Sequence, residues 1–121
     1  IILQKPLLGI QADLAEDYQD NDYYNDTIWC DKWGEKPDSY EAAYKILLSQ
    51  YMNAPKLVPI YLHRFMPFIP NSKEAPVFSI KGSDIICYGE NLISYLETEF
   101  KIKEYDRNMR CKHVNFWSDL L

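Results

Sequence analysis

Val77-Phe78-Ser79-Ile80-Lys81-Gly82-Ser83-Asp84-Ile85-Ile86-Cys87-Tyr88 is the stretch that decides the fold class. Two short runs of β-branched and aromatic residues flank Lys81-Gly82-Ser83-Asp84, whose residue types favour a turn, so the stretch predicts a β-hairpin. Upstream, residues 58–62 form another apolar, β-branched run that reads as a strand. Residues 38–53 carry the clearest helix signal. Asp38 is a good N-cap, and Glu41 stands three positions later in capping-box spacing. Tyr40, Ala43, Tyr44, Leu47, Leu48 and Tyr51 then recur at three- and four-residue intervals, and Asn53 and Pro55 end the pattern. Downstream of the hairpin a second helix is expected from residues 89–91. Leu92, Ile93, Leu96 and Phe100 supply its apolar stripe, with Lys101 and Lys103 near its negative pole. Helix, strand, hairpin and helix do not repeat as βαβ units. The expected architecture is therefore α+β, with a mixed, mostly antiparallel sheet and helices packed on one face, in a single domain over residues 1–121.

The rest of the chain is less regular. Pro6 and Gly9 break the apolar residues 1–10, so a strand or loop is expected there. Residues 13–25 read as a loop with a short helix around residues 14–18. Thr27-Ile28-Trp29-Cys30 reads as a short strand, and the Pro-punctuated residues 65–70 as a loop. Residues 114–121 return to apolar character and are expected to dock on the body.

A chain of 121 residues suits one domain. No apolar run approaches the roughly 20 residues that span a bilayer. Residues 1–10 lack the basic start and small-residue cleavage site of a secretory signal, which points to the cytoplasm. With Ile1 in place of an initiator Met, some N-terminal sequence is expected to be missing. Cys30, Cys87 and Cys111 are odd in number and far apart, so three reduced thiols are expected.

Charge is unevenly spread. The chain carries a net −5, yet between residues 13 and 38 Asp13, Glu16, Asp17, Asp20, Asp22, Asp26, Asp31, Glu35 and Asp38 face only Lys32 and Lys36. All of the negative excess sits there. Such a field repels nucleic acid and anionic membranes and attracts basic partners. Tyr23, Tyr24, Trp29 and Trp33 interleave with the acids, a mixture that suits a binding surface as well as a loop tied to the core. Asp17, Asp20, Asp22 and Asp26 are the candidates for the field, and Trp29 and Trp33 for buried contact.

Catalytic and cofactor motifs are not expected. His63 and His113 stand in no metal-ligand spacing, the cysteines form no C-x-x-C pair, and no nucleophile elbow or phosphate-binding glycine loop occurs. No catalytic residue, metal ligand or cofactor is assigned. A small hydrolase using His63 and a nearby acid would require the two together at the base of a deep pocket.

The second half resembles a known family. Val58-Pro59-Ile60-Tyr61-Leu62-His63-Arg64-Phe65-Met66-Pro67 is similar to a segment of a bacterial subgroup of the SUKH superfamily. In order after it come Pro76-Val77-Phe78-Ser79-Ile80, Ser83-Asp84-Ile85-Ile86-Cys87-Tyr88-Gly89-Glu90-Asn91-Leu92, Tyr95-Leu96 with Glu99-Phe100, and Phe116-Trp117-Ser118-Asp119-Leu120. Each piece is weak alone; the ordered set covers about half the chain. The resemblance implies an α+β fold and a non-catalytic role. Bacterial members are immunity proteins that bind and neutralise polymorphic toxins, some of them nucleases. Other members are regulatory or scaffold proteins, including fungal ones linked to cell-wall synthesis. Two departures stand out: the family's N-terminal helix and Gly-rich turn before a segment like Pro6-Leu7-Leu8-Gly9-Ile10 are not evident, and Cys87 stands where an aromatic is usual. The expected partner is thus a cognate protein toxin of basic character, with no nucleic acid or membrane bound.

Overall fold

The computed structural model describes residues 4–19, 28–70, 72 and 74–121. In chain order it has α1 (Lys5–Gln19), a 3-10 turn (Asp31–Trp33), α2 (Tyr40–Met52), β1 (Leu57–Tyr61), β2 (Arg64–Pro67), β3 (Val77–Lys81), β4 (Asp84–Gly89), α3 (Leu92–Glu99) and a closing 3-10 turn (Ser118–Leu120). The strands form one sheet in the order β1-β2-β3-β4, antiparallel at every pairing. The α+β expectation holds. The sheet is an antiparallel meander with no parallel pair among the described residues.

Residue pairing shows which side chains share a face, because direct cross-strand partners point the same way. Pro59, Phe65, Phe78 and Cys87 are successive partners across the four strands. Phe65, Phe78 and Cys87 belong to the main core, together with Leu7, Ile10 and Leu14 of α1 and Ala43, Leu47 and Tyr51 of α2. The neighbouring row, Tyr61, Arg64, Ser79 and Ile86, points to the opposite face. There α3 sets the buried Tyr95 edge-on to Tyr88 and brings Glu99 to Arg64. Helices therefore lie on both faces of the sheet, and all of β3 except Lys81 is buried.

The first ten residues correct the expectation of a strand or loop, and residues 14–18 are part of a longer helix. α1 runs unbroken through Pro6 and Gly9 to Gln19. Pro6 stands in the first turn, where no intrahelical N–H is required of it. Gly9 lies where α1 crosses the β3–β4 turn, and a Cβ there would come 3.1 Å from the Gly82 Cα. Leu7, Ile10 and Leu14 form a single buried stripe at helical spacing. Just upstream of the helix, Gln4 ties to β1 through both polar atoms of its side chain. Its Nε2 donates to the Leu57 carbonyl at 2.7 Å, and its Oε1 accepts from the Leu57 amide at 3.0 Å.

Four further expectations are corrected. Residues 28–30 are not a strand: the Ile28 amide bonds to the Asp17 carboxylate instead of a neighbouring strand (Thr27 lies outside the described residues). Residues 64–67 form β2 in place of a loop, with Pro67 at its end opposite Leu57. The α3 stripe is inverted as well. Tyr95 is buried, whereas Ile93 and Phe100 are more than 70% exposed and Leu92 and Leu96 partly so. Close contact drives this orientation, since a Cβ on Gly89 would meet the Tyr95 Cβ at 2.5 Å. At the start of α2 the cap is Ser39, not Asp38; its hydroxyl accepts from the Ala42 amide at 3.3 Å.

The cysteines also depart from three free thiols. Cys87 and Cys111 are joined as a disulfide, and Cys30 is free. Their Cα atoms are 6.5 Å apart, within the usual span of such a bond, because the chain beyond α3 returns to the outer edge of β4.

Two glycines separate backbone strain from crowding. Gly82 (φ +57°) has the Asp13 carboxylate against it, whereas Gly34 (φ +88°) has nothing within 4 Å of its Cβ direction. Gly34→Ala is therefore expected to cost about 2 kcal/mol from backbone strain alone, because φ +88° with ψ −168° is a conformation kept almost entirely by glycine. Gly82→Ala should cost about 2–3 kcal/mol, because Asp13 must also release the Ser83 amide it holds at 2.7 Å. Urea unfolding midpoints of the two variants check the ranking.

Candidate functional site

The C-terminal half of α1, the 3-10 turn and the start of α2 converge at one end of the molecule, where the acidic segment lies. Asp17, near the end of α1, accepts from the Ile28 amide at 2.8 Å and from Lys36 Nζ at 3.1 Å, with its side chain only 9% exposed. Lys36 also lies over the Tyr18 ring, 5.0 Å from its centroid. The Tyr18 hydroxyl donates to the Pro37 carbonyl at 2.6 Å, and burial followed by the charges of Asp17 and Asp38 raises its pKa. Tyr18 meets Tyr40 edge-on at 6.3 Å, and Tyr40 stacks on Tyr44 at 5.9 Å. These contacts fold the turn after Ile28 back onto α1.

The tryptophans have separate duties. Trp33 is 7% exposed and stacks on Phe116, with centroids 5.7 Å apart and planes 13° off parallel. Its indole N–H finds no partner among the described residues. Trp29 is half-buried, edge-on to Trp33 at 5.2 Å, and its indole N–H donates to the Gly34 carbonyl at 2.7 Å. Trp33 is thus core, and Trp29 covers it with one surface left accessible. Of the acids expected to make the field, Asp17 is committed to the fold. Asp20, Asp22 and Asp26 lie outside the described residues, as do Tyr23 and Tyr24.

What faces solvent at this end is a neighbouring set of carboxylates: Asp31, Glu35, Asp38 and Glu41 are all exposed. The two lysines between them are engaged elsewhere. Lys36 pairs with Asp17, and Lys32 reaches Asp119 at 3.1 Å. Among the described residues none of the four exposed carboxylates has an ion-pair partner. Sequence counting placed these acids in the segment but could not show that its lysines turn away, because Lys32 finds its partner 87 positions along the chain.

Asp119 organises the closing turn. One oxygen takes His113 Nε2 at 2.8 Å and Lys32; the other accepts from the Phe116 amide at 3.1 Å. Burial alone would raise its pKa. Hydrogen bonds from His113, Lys32 and the Phe116 amide outweigh that and hold it below its ordinary value.

His63 occupies the β1–β2 turn, beside Arg64, and lines an open cleft of about 710 Å³ with Lys5, Leu8, Phe65, Ile80 and Lys81. Among the described residues no carboxylate lines that cleft. Burial, then the charges of Arg64 and Lys81, lower the His63 pKa. Glu99, outside the cleft lining, acts on it more weakly in the opposite direction. Across the sheet, Arg64 donates to Ser79 Oγ at 2.8 Å and lies 4.0 Å from the Tyr88 ring centroid. The Tyr95 hydroxyl donates to Glu99 at 2.9 Å; burial and that hydrogen bond push its pKa to about 12. Tyr61, Leu62, Leu96 and Phe100 form an exposed apolar rim above this cluster. Among the described residues no three His, Cys, Asp or Glu side chains group as a metal site.

Two substitutions test these assignments. Asp17→Ala strands the Ile28 amide and a partly buried ammonium, so a loss of about 2 kcal/mol in unfolding free energy is expected by denaturant titration. Asp119→Asn should cost about 1 kcal/mol near neutral pH, since the Lys32 ammonium it pairs with is exposed and screened. A carboxylate with a depressed folded pKa stabilises above its unfolded value of 3.8 and loses that contribution as pH falls below it. The wild-type and Asp119→Asn stabilities should therefore converge between about pH 4 and 2, as followed by thermal melts. No family model matches this chain, and neither the curated proteins nor the solved structures contain a match to it.

Proposed function

We propose that the chain is a protein-binding module of the SUKH type that acts as an immunity protein, neutralising a protein toxin by direct contact in the cytoplasm without chemistry of its own. The docking face in this reading is the acidic end, with Asp31, Glu35, Asp38 and Glu41 around the accessible surface of Trp29 and the Tyr40–Tyr44 pair. One observation carries it: both lysines of the segment are drawn into pairs with Asp17 and Asp119, which leaves the neighbouring carboxylates unopposed at the surface. The complementary partner is a basic protein surface. A toxin that cleaves nucleic acid has one, because it must hold a polyanion. The ordered resemblance of the second half to SUKH proteins supports the immunity role, and the absence of a helix long and apolar enough to cross a membrane among the described residues is compatible with it.

Unopposed carboxylates act on encounter more than on residence, because long-range attraction raises association rates. The test is co-expression with the product of the adjacent gene, scoring cell survival and complex formation, followed by binding kinetics at two salt concentrations. Replacing Asp31, Glu35, Asp38 and Glu41 together by Lys is expected to slow association by about tenfold or more at low salt and to flatten its salt dependence. A complex whose on-rate ignores the four substitutions would remove this face from the proposal. A neighbour that is a housekeeping protein and neither kills nor binds would remove the immunity role.

A further inference from the structure

We propose that Cys87–Cys111 is a redox latch: the bond pins residues 101–113 against the outer edge of β4, and its reduction frees that strap while the core stays folded. This rests on the disulfide and on the unequal strength of what holds the chain on either side of the strap. Residues 101–113 contain no helix or strand, and all but Met109 and Cys111 are exposed. Among the described residues, and apart from the disulfide, the tethers from the middle of the strap to the body are few and lie at the surface. The Tyr105 ring stacks on Tyr88 at 5.3 Å and its hydroxyl donates to the Cys87 carbonyl at 3.3 Å. The Arg110 amide donates to Glu90 at 2.8 Å, and Lys112 pairs with Glu74 with both side chains about two-thirds exposed. Surface contacts of this kind hold weakly and are readily exchanged for water.

The flanks are independent of the latch. On the near side α3 is capped by Asn91, whose side chain accepts from the Ser94 amide at 2.8 Å, and is seated by the buried Tyr95. On the far side Val114, Phe116 and Trp117 are buried, and the Trp117 indole N–H donates to the Pro55 carbonyl at 2.9 Å. The Asp119 carboxylate then holds the closing turn. Both ends of the strap are thus fixed without the disulfide, and only the part between depends on it.

The chemistry is thiol–disulfide exchange with a dithiol reductant. A thiolate of the reductant attacks one protein sulfur and forms a mixed disulfide, and the other protein sulfur leaves as a thiolate and takes up a proton. The second thiol of the reductant displaces the first protein sulfur. The products are two protein thiols and the cyclic disulfide of the reductant, a balanced two-electron exchange. In a thiol-buffered interior the strap is open, and an oxidising shift closes it. Opening uncovers the Tyr88 ring and the Cys87 carbonyl on the outer edge of β4, a strand edge of the kind that accepts added strands.

The strap carries its own reporter, because Lys101, Lys103, Arg107, Arg110 and Lys112 are all sites for trypsin. The experiment compares limited trypsin digestion of the full chain, in a Cys30→Ser background, after oxidation with glutathione disulfide and after reduction with dithiothreitol. Cleavage after Arg107 and Arg110 is expected to be about tenfold faster in the reduced protein, with indole emission and the indole bands of the near-ultraviolet circular dichroism unchanged while the tyrosine and disulfide contributions change. Adding Cys111→Ser should give the fast rate with or without reductant. Equal rates in the two states overturn the latch. So does loss of the native indole signal on reduction, which would make the bond a global staple, and so does alkylation of both cysteines after oxidation, which would show that no bond forms.

Discussion

Phe116 and Trp117 plug the end of the core, and the rest of the molecule is arranged around that contact. Trp117 is fully buried, edge-on to Tyr51 at 6.1 Å, and its one polar atom is satisfied by Pro55 at the entrance to β1. Phe116 lies between Trp33, on which it stacks, and Tyr51, which it meets edge-on at 5.9 Å. Four large aromatics thereby join the turn after α1, the second helix, the first strand and the C-terminus. Each buries well over a hundred square ångströms of apolar surface, so at about 25 cal/mol per Å² the cluster is a leading source of cohesion. Phe116 takes φ +73°, a conformation a bulky side chain adopts only where its surroundings impose it. Its amide bond to Asp119 is part of that imposition.

The plug explains how an acidic surface is tolerated so close to the core. Trp33 is held by Phe116 from one side and covered by Trp29 from the other, so the segment that follows is positioned by apolar contact and not by charge. Its lysines are then available for pairs that fasten the periphery: Lys32 to the C-terminal turn, Lys36 to α1. Mutual repulsion among the exposed carboxylates costs little at the surface, where water and salt screen it. The fold can therefore present a strong local field without depending on it for stability.

What could be read in the sequence follows from the range of the interactions involved. The β3–β4 hairpin, α2 and α3 are set by neighbours a few positions apart, through Gly82 at the turn and the caps Ser39 and Asn91, and they appear where periodicity and turn chemistry place them. Elements whose reason lies far along the chain are not visible in local sequence. Gly9 looks like a helix breaker until Gly82 is seen against it, and Gly89 gives no local hint that it draws Tyr95 inward and turns Ile93 and Phe100 outward. β2 was hidden by its proline, which stands at the strand's last position. The candidate site divides in the same way. That the region is acidic and aromatic is composition, and legible. That Asp17 is buried, that Trp33 is core and that the two lysines point away are long-range facts, carried by partners such as Phe116 and Asp119.

The disulfide belongs with these long-range facts. Cys87 is in the strand row that faces the core, yet its sulfur is joined to a strap whose other contacts lie in water. A cross-link closing a loop of this length acts mainly by removing conformations open to the unlinked chain. Where the flanking segments are already fixed, that effect falls on the loop more than on the core. The aromatic plug is what fixes the far flank. With Trp117 and Phe116 seated, the chain re-enters the core at Val114 whether or not the sulfurs are joined. A weaker plug would turn the same bond into a requirement for folding; with this one, it governs only what the edge of β4 shows to its surroundings.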